Sequence, residues 1–268
     1  MQKTILITGA TDGIGLETAK MLVSSGHNVL IHGRNPAKLK DVSALLAEMG
    51  SAQSIESYVA DLSSFRDVED LAQALLDRHS HLDVLINNAG VFKVVNPITK
   101  DGFDVRFVVN TLAPYLLTKR LLPIMNHESR VINLSSAAQA PVNIAALSGQ
   151  KHLPDDFSAY AQSKLAITMW STAMSQLENS PVVIAVNPGS LLKTNMVAEA
   201  FGRFNNDVSV GADILVQAAL SDGFANASGK YFDNDSGNFA SPHPDGLNQQ
   251  KINSVTQAIE DVLSHFSG

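Results

Sequence analysis

The sequence predicts an α/β protein built around one doubly wound sheet, with about seven parallel strands and helices on both faces. Short apolar runs rich in β-branched residues alternate with helical patterns from one end of the chain to the other. These runs are continuous rather than interrupted by polar residues, which is typical of parallel strands covered on both faces. No repeat or low-complexity linker divides the 268 residues, so we predict a single domain over residues 1–268.

Seven segments carry the strand pattern. The first, residues 4–8, runs directly into a glycine-rich segment at residues 9–15, the glycine turn, and then into a helical pattern that ends near Gly26. A strand, a glycine turn and a helix in this order form a phosphate-binding arrangement, because the helix N-terminus presents free N–H groups. The other predicted strands are residues 29–33, 54–59, 82–87, 130–135, 182–187 and 229–232.

Capping residues mark the starts of the helices between the early strands. Asn35 is a good N-cap, and it is followed by Pro36 at the position where a helix accepts proline. Ser64 and Asp67 are spaced as in a capping box. These signals predict a helix after the second strand and another after the third.

The second half of the chain holds the longer connections. A helical region over residues 103–125 leads to the fifth strand, and an apolar stripe over residues 252–266 predicts a last helix packed on the sheet. Ligands of such sheets bind beyond the carboxyl ends of the strands, so we expect the substrate pocket in the irregular stretches that follow strands. These stretches are residues 137–157, 190–207 and 233–248.

Composition favours small-molecule chemistry. The net charge of −7, without a cluster of Lys and Arg, argues against nucleic acid or an anionic membrane surface as a partner. The chain has no cysteine, and His79 and His81 lack nearby companions, so we expect no metal. No apolar run approaches the roughly 18 residues of a membrane span. We therefore expect a cytoplasmic protein without a membrane anchor.

Tyr160 and Lys164 are the strongest candidates for chemistry. They are four residues apart in a helical pattern, so both side chains face the same way. A free phenol has a pKa of about 10, and an ammonium group within about 4–6 Å favours the phenolate and lowers that pKa. The pair therefore suits general acid or base catalysis. A packed tyrosine beside a solvated lysine is the alternative for such a short motif taken alone.

Six motifs follow one another along the chain. They are Thr8-Gly9-x-x-x-Gly13-x-Gly15, Asn87-Asn88-Ala89-Gly90, Asn110, Ser136, Tyr160-x-x-x-Lys164 and Asn187-Pro188-Gly189. Together they resemble the short-chain dehydrogenase/reductase family, and the match spans nearly the whole chain. The resemblance implies a Rossmann-type fold and an oxidoreductase that transfers a hydride between a nicotinamide cofactor and a carbonyl or alcohol group of a small molecule.

The resemblance also implies a role for individual residues. Tyr160 is the general acid or base, Lys164 holds the nicotinamide ribose and lowers the tyrosine pKa, and Ser136 holds the substrate oxygen. Ser135 is the competing serine, interpreted as a structural strand end. Asn110 fixes a water molecule next to Lys164, or is simply a buried polar residue of its helix. The implied cofactor-binding residues are Gly9, Thr11, Asp12, Gly13, Ile14, Gly15, Arg34, Asp61, Leu62, Asn88, Ala89, Gly90, Tyr160, Lys164, Pro188, Gly189 and Thr194.

The end of the second strand predicts the cofactor. Enzymes that prefer NAD usually carry an acid there, which bonds the ribose hydroxyls and repels a 2′-phosphate. This chain has Gly33 followed by Arg34, whose guanidinium suits a phosphate. We therefore predict NADP(H). Two observations weigh against it: Arg34 could be only a solvated charge, and Asp12 places a negative charge beside the glycines.

Within the family, the sequence from Thr8 to Ala19 and residues 229–232 look most like the retinol dehydrogenase group, which includes relatives of protochlorophyllide reductase. Apolar residues in the stretch 190–207 predict a flap over an apolar substrate, although core packing would explain them equally well: Leu191, Leu192, Met196, Val197, Phe201 and Phe204. A 3-oxoacyl-carrier-protein reductase and a non-catalytic cofactor-sensing regulator are the alternative functions. The sequence leaves homo-oligomer formation open.

Overall fold

The computed structural model describes residues 2–50, 54–202, 204 and 206–266, and it has an eight-stranded sheet at its centre. The strands are β1 (Thr4–Ile7), β2 (Asn28–Gly33), β3 (Ile55–Val59), β4 (Val84–Asn87), β5 (Arg130–Leu134), β6 (Val182–Asn187), β7 (Tyr231–Asp233) and β8 (Asn238–Ala240).

The sheet is doubly wound. The strand order is β3-β2-β1-β4-β5-β6-β7-β8, and the first seven strands pair in parallel. The order reverses between β1 and β4, so the loops after these two strands open a crevice where ligands of such sheets bind. The predicted fold class and its seven parallel strands are confirmed.

The eighth strand was not predicted. β8 pairs antiparallel with β7 and lies inside residues 233–248, a stretch predicted to be irregular. Three residues are too few to show a period of two. The strand is held instead by aromatic packing, since the ring of Phe239 lies 5.2 Å from those of Phe224 and Phe232. We call residues 231–240 the terminal hairpin.

The helices begin where their caps predict. Asn35 accepts a hydrogen bond from the Lys38 N–H at 3.1 Å, and Ser64 accepts one from the Asp67 N–H at 3.3 Å. The helices are α1 (Gly13–Ser24), α2 (Pro36–Glu48), α3 (Phe65–Arg78), α4 (Val105–Phe107), α5 (Ala113–Leu121), α6 (Ile144–Leu147), α7 (Asp156–Met174), α8 (Asn195–Phe201), α9 (Val208–Leu220) and α10 (Gln249–Ser264).

Apolar side chains cover both faces of the sheet. Helices α1, α2 and α9 bury one face, and helices α3, α5 and α7 bury the other, where Trp170 is fully enclosed. The apolar stripe of α10 is buried as predicted. It packs against α7 and α6, as an outer layer, rather than directly on the sheet. This layering leaves the carboxyl ends of the strands to the loops that form the candidate site.

Candidate active site

The glycine turn is closed against the loop that follows β4. Gly9 has a φ of 67°, and a Cβ atom there would lie 2.9 Å from the Cα of Ala89. A Cβ atom on Gly15 would lie 2.3 Å from the Gly9 carbonyl oxygen. The backbone at these positions has room only for glycine, and it leads straight into the N-terminus of α1, which attracts anions.

Asn88 and Ala89 bind this turn directly. The Asn88 amide donates to the carbonyl oxygens of Thr8 and Gly9 at 2.8 and 3.0 Å, and the Ala89 N–H donates to the Thr8 hydroxyl at 3.1 Å. On the other side, a Cβ atom on Gly90 would lie 3.5 Å from Lys164 Nζ. Residues 88–90 therefore join the glycine turn to the candidate catalytic pair.

Tyr160 and Lys164 lie on the same face of α7, as their spacing predicts. Lys164 Nζ is 5.6 Å from the centre of the Tyr160 ring, and it donates a hydrogen bond to the Leu134 carbonyl oxygen at 2.7 Å. The lysine is buried, with 4% of its surface exposed, whereas the tyrosine is partly exposed. The pair is thus brought together at the end of β5.

Burial sets the protonation of both groups. It raises the pKa of Tyr160, while a hydrogen bond with Ser136 acts in the opposite direction. It lowers the pKa of Lys164 to about 8. The direction for the tyrosine is opposite to the predicted one, because loss of solvent is the largest influence and the lysine donates to a carbonyl oxygen.

An ion-pair cluster anchors the first turn of α7. The Arg106 guanidinium donates to both carboxylate oxygens of Asp104, at 2.8 and 2.7 Å, and also to the Asp156 carboxylate. Arg106 and Asp104 are both buried, and Asp156 is the first residue of α7. The cluster therefore ties the start of the helix that carries Tyr160 to α4.

The two candidate serines differ in their partners. The Ser135 hydroxyl is buried between the Lys164 carbonyl oxygen at 3.0 Å and Thr168 Oγ1 at 2.7 Å. The Ser136 hydroxyl is partly exposed, accepts from the Ala138 N–H at 3.1 Å and also interacts with Tyr160. The geometry agrees with Ser135 as a structural residue and Ser136 as the one that faces the site.

Asn110 lies in a π-helical stretch, Val108–Leu112, of the kind often found at functional sites. Its side chain is fully buried and bonds both backbone groups of Val91, at 2.8 and 2.9 Å, and Ser163 Oγ at 3.0 Å. The side chain therefore holds the backbone just beyond Gly90, which gives Asn110 a structural task at the predicted position.

Arg34 follows β2 beside the glycine turn, with its side chain exposed. A Cβ atom on the preceding Gly33 would lie 2.6 Å from Thr11 Cγ2, so the strand end and the turn are in contact. Asp61 is exposed, and its carboxylate accepts from the Ser63 N–H at 2.9 Å. Leu62 is buried in the core, so its side chain is packed away from solvent.

The loop after β6 continues into the predicted flap. Thr194 caps α8, and its Cγ2 would lie 3.4 Å from a Cβ atom on Gly13. Asn195 donates a hydrogen bond to Asp12, which also caps α1. Pro188 and Gly189 lie at the start of the same loop. The start of the flap therefore rests on the glycine turn.

The apolar residues of the flap are divided between core and site. Leu192 is buried at 2% exposure, and its Cδ1 would lie 2.6 Å from a Cβ atom on Gly211 of α9. Met196 reaches toward Gly90, with its Cε 3.8 Å from a Cβ atom placed there, and Phe204 is 43% exposed. The side chain of Phe201 lies outside the described residues. Part of the predicted flap is thus core packing, and Met196 borders the site.

His32 was missed in the sequence, although a histidine in an otherwise apolar strand was the available signal. Its Nδ1 accepts from the Gly9 N–H at 3.2 Å, and its Nε2 lies 3.1 Å from the Ala60 carbonyl oxygen. The Gly9 donor requires an unprotonated Nδ1, so Nε2 carries the hydrogen. Burial lowers the His32 pKa to about 4, which keeps this support of the glycine turn neutral.

Two phenylalanines beside Tyr160 were also missed. The ring of Phe92 lies 4.8 Å from the Tyr160 ring in an edge-to-face arrangement, and 6.4 Å from the ring of Phe157. Phe157 is 52% exposed, so an aromatic surface is open next to the candidate catalytic tyrosine.

Within the described part of the chain, no helix combines the length and hydropathy needed to span a membrane. Among the same residues, no three His, Asp or Glu side chains are grouped as metal ligands.

Comparison with known proteins gives the family. Residues 3–203 match the family model for short chain dehydrogenases. The chain is 30% identical to human retinol dehydrogenase 13 over 251 residues, which cover 86% of this chain and 76% of the relative. It therefore resembles the retinol dehydrogenase group, as the sequence motifs predict.

Similar solved structures support the same family assignment. A structure of an uncharacterized protein from Mycobacterium Paratuberculosis matches with a TM-score of 0.80 at 26% identity, covering 97% of this chain and 93% of that one. The angucycline C-6 ketoreductase LanV, solved with bound NADP, matches with a TM-score of 0.67 at 28% identity, covering 87% and 93%. With the glycine turn and the Tyr160–Lys164 pair joined by residues 88–90, the chain belongs to the short-chain dehydrogenase family of oxidoreductases.

Proposed function

We propose that this protein catalyses NADP(H)-dependent hydride transfer between the nicotinamide and a carbonyl or alcohol carbon of a small, largely apolar substrate. The observation that carries the proposal is the nearness of Lys164 Nζ to Gly90, where an added Cβ atom would lie 3.5 Å from it, because this puts the Tyr160–Lys164 pair next to the segment that binds the glycine turn. The exposed ring of Phe157, which packs against the buried Phe92 beside Tyr160, favours an apolar substrate portion.

The residues present fit a dinucleotide. Glycine at positions 9 and 15 lets the turn pack closely on residues 88–90, and the turn leads into the N-terminus of α1, an arrangement that suits a pyrophosphate. Thr194 lies over the same turn and can add a hydroxyl. Asp12 is unfavourable for a phosphate, but its carboxylate is occupied by the Gly13 N–H and Asn195.

The acid–base step falls to Tyr160. In the direction of reduction, the hydride for the carbonyl carbon would come from NADPH held against the glycine turn. Tyr160 donates its phenolic proton to the carbonyl oxygen, and its raised pKa keeps that proton in place at neutral pH. Ser136 donates a hydrogen bond to the developing oxyanion. Lys164, charged below its pKa of about 8, stabilises the resulting phenolate and bonds the ribose.

Retention of both Tyr160 and Lys164 in one buried site favours an enzyme over a cofactor-sensing regulator, because regulators on this fold have no need of a buried lysine next to a phenol. No feature of the described residues specifically favours the carrier-protein thioester of the alternative reductase.

Arg34 is proposed to select NADP(H) over NAD(H). It is exposed at the end of β2, next to Thr11 of the glycine turn, where the 2′-phosphate of the adenosine ribose would lie. Replacing Arg34 by leucine removes a charge-assisted phosphate contact. We expect roughly a 10- to 100-fold loss in kcat/KM for NADPH and little change for NADH.

The experiment measures NADPH and NADH oxidation with a panel of aliphatic and aromatic ketones and aldehydes. Lys38→Leu, which removes a neighbouring exposed cation, is the matched control. The proposal predicts turnover with NADPH, a strong preference for it, and loss of that preference only in Arg34→Leu. Equal use of both cofactors by the wild type, or an unchanged preference in Arg34→Leu, would contradict the assignment of NADP(H) to Arg34.

A further inference from the structure

The terminal hairpin reaches two loops of the site at once. We propose that it positions both of them: Asp235 holds the loop of residues 187–190 on the nicotinamide side, and Tyr231 holds the backbone of Ser136 on the substrate side. Both are positioning residues rather than catalytic ones, because they act through these loops. The inference rests on the proposed function and assigns separate kinetic tasks to the two residues.

Asp235 lies in the turn of the terminal hairpin and binds the 187–190 loop through both oxygens. Its Oδ1 accepts from the Ser190 N–H at 2.8 Å. Its Oδ2 accepts from the Ser190 hydroxyl at 2.6 Å and from the Asn187 amide at 2.9 Å. These bonds lower the pKa of Asp235, so the carboxylate is ionised at neutral pH and the bonds are charge-assisted.

The loop that Asp235 binds has an uncommon backbone. Gly189 has a φ of 117°. Leu191, the residue just after the loop, has a φ of 53°, a value that residues other than glycine rarely adopt. Such a conformation persists only where surrounding contacts impose it. Asn234 adds one of these contacts, since its amide donates to the Pro188 carbonyl oxygen at 2.9 Å. The hairpin turn thus imposes the shape of the loop that leads to Thr194.

Tyr231 lies at the start of the hairpin and serves the other loop. Its hydroxyl donates to the Ser136 carbonyl oxygen at 3.1 Å, and Gln139 Nε2 donates to the same oxygen at 3.0 Å. The tyrosine is buried, and burial together with nearby Asp233 and Asp235 raises its pKa, so the phenol stays a donor at neutral pH. The carbonyl group of Ser136 is therefore held from two sides, which fixes the backbone from which its hydroxyl projects.

A small cavity lies against this same contact. It has a volume of about 240 Å³ and is bordered by Ala137, Gln139, Tyr231, Asp233 and His243. It gives the Ser136 loop room to move if Tyr231 no longer holds it. Because the loop has this free space beside it, the hydrogen bond from the Tyr231 hydroxyl, rather than close packing, holds Ser136 in position.

The test compares Asp235→Ala, Asp235→Asn and Tyr231→Phe. Ser236→Ala is the matched control, because Ser236 is in the same turn and, in the described contacts, its hydroxyl bonds only the Asp233 carbonyl oxygen. The NADPH dissociation constant is measured by nicotinamide fluorescence, kcat and KM with an accepted ketone, and thermal stability by circular dichroism.

Asp235→Ala is expected to raise the NADPH dissociation constant roughly 10-fold, with a smaller rise in Asp235→Asn, which keeps one acceptor. Tyr231→Phe is expected to leave NADPH binding unchanged and to lower kcat/KM for the ketone roughly 10-fold. Ser236→Ala should match the wild type in both measurements.

Equal losses of cofactor affinity and ketone kinetics in both variants, in proportion to lost thermal stability, would overturn the proposal, as would wild-type behaviour of either Asp235→Ala or Tyr231→Phe. Should Asp235→Ala fail to fold, Asp235→Asn decides the nicotinamide-side half. Should the wild type reduce no ketone while still binding NADPH, the proposed function fails, and the Asp235 half is still decided by the dissociation constants.

Discussion

The two halves of the candidate site are held by different means. On the cofactor side, the glycine turn is packed so closely that a Cβ atom on Gly9 or Gly15 has no space, and Asn88 and His32 bond its backbone. Around the nicotinamide and the substrate, the loops that carry Ser190 and Ser136 are held by side chains of the terminal hairpin, above all Asp235 and Tyr231. The first half has no space for a Cβ atom at its glycines, whereas the second half is held by hydrogen bonds from the terminal hairpin.

This difference determines which residue changes each half of the site can accept. A cradle made of backbone binds the invariant part of a dinucleotide whatever the surrounding side chains are. Loops held by side-chain hydrogen bonds can change shape when one residue changes, which suits the part of the site that meets the substrate. We therefore expect substitutions in the first half to weaken both stability and cofactor affinity, and substitutions in the second half to change either cofactor affinity or kinetics, depending on which loop is released.

Gly15→Ala should have the largest effect. The new Cβ atom would lie 2.3 Å from the Gly9 carbonyl oxygen and 2.4 Å from Asn88 Nδ2, so the turn and the 88–90 segment must separate. We expect a loss of about 3 kcal/mol in the free energy of unfolding and at least roughly a 10-fold weaker affinity for NADPH.

Gly223→Ala is the control for this substitution, because a Cβ atom there would meet only Ser221 Oγ, at 3.6 Å. Urea unfolding and NADPH titration measure both variants. Wild-type binding by Gly15→Ala would break the comparison, since it would mean that the cofactor half is as adaptable as the substrate half.

His32 should make the cofactor half sensitive to acid. Its pKa is about 4 in the folded protein, against an ordinary value of 6.5, so the unfolded chain binds more protons between these two pH values. Its contribution is therefore complete above pH 6.5 and is lost as the pH falls through 4, by about 3 kcal/mol in total.

The measurement is the free energy of unfolding from pH 7.5 to 4 in the wild type and in His32→Gln, with His127→Gln, which removes an exposed histidine, as the control. The wild type should lose more stability than His32→Gln over this range. Parallel pH profiles for the two proteins would show that the histidine under the glycine turn does not carry the acid sensitivity.

Sequence patterns predicted the cofactor half well. Its strands are marked by continuous apolar runs, and its helices by Asn35 and Ser64 as caps. The spacing of the glycines in residues 9–15 indicates a tight turn between a strand and a helix. The placement of Tyr160 and Lys164 on one helix face followed from helical geometry alone.

The features that the sequence did not predict depend on contacts between residues far apart in sequence. Neither the three-residue strand β8 nor the Tyr231–Ser136 bond, which spans 95 positions, has a local pattern. The direction of the Tyr160 pKa shift differs from the predicted one because burial, which sequence spacing does not reveal, outweighs the hydrogen bond with Ser136. The packing of α10 on α7 also depended on which surface the other helices left open.

The central claim is that Tyr160 is the proton donor of a site completed by the glycine turn. The most direct test is the single-turnover rate of NADPH oxidation by Tyr160→Phe, at saturating NADPH, with a ketone that the wild type reduces. We expect the rate to fall at least roughly 100-fold, with the NADPH dissociation constant unchanged. A rate within about twofold of the wild type would contradict the claim.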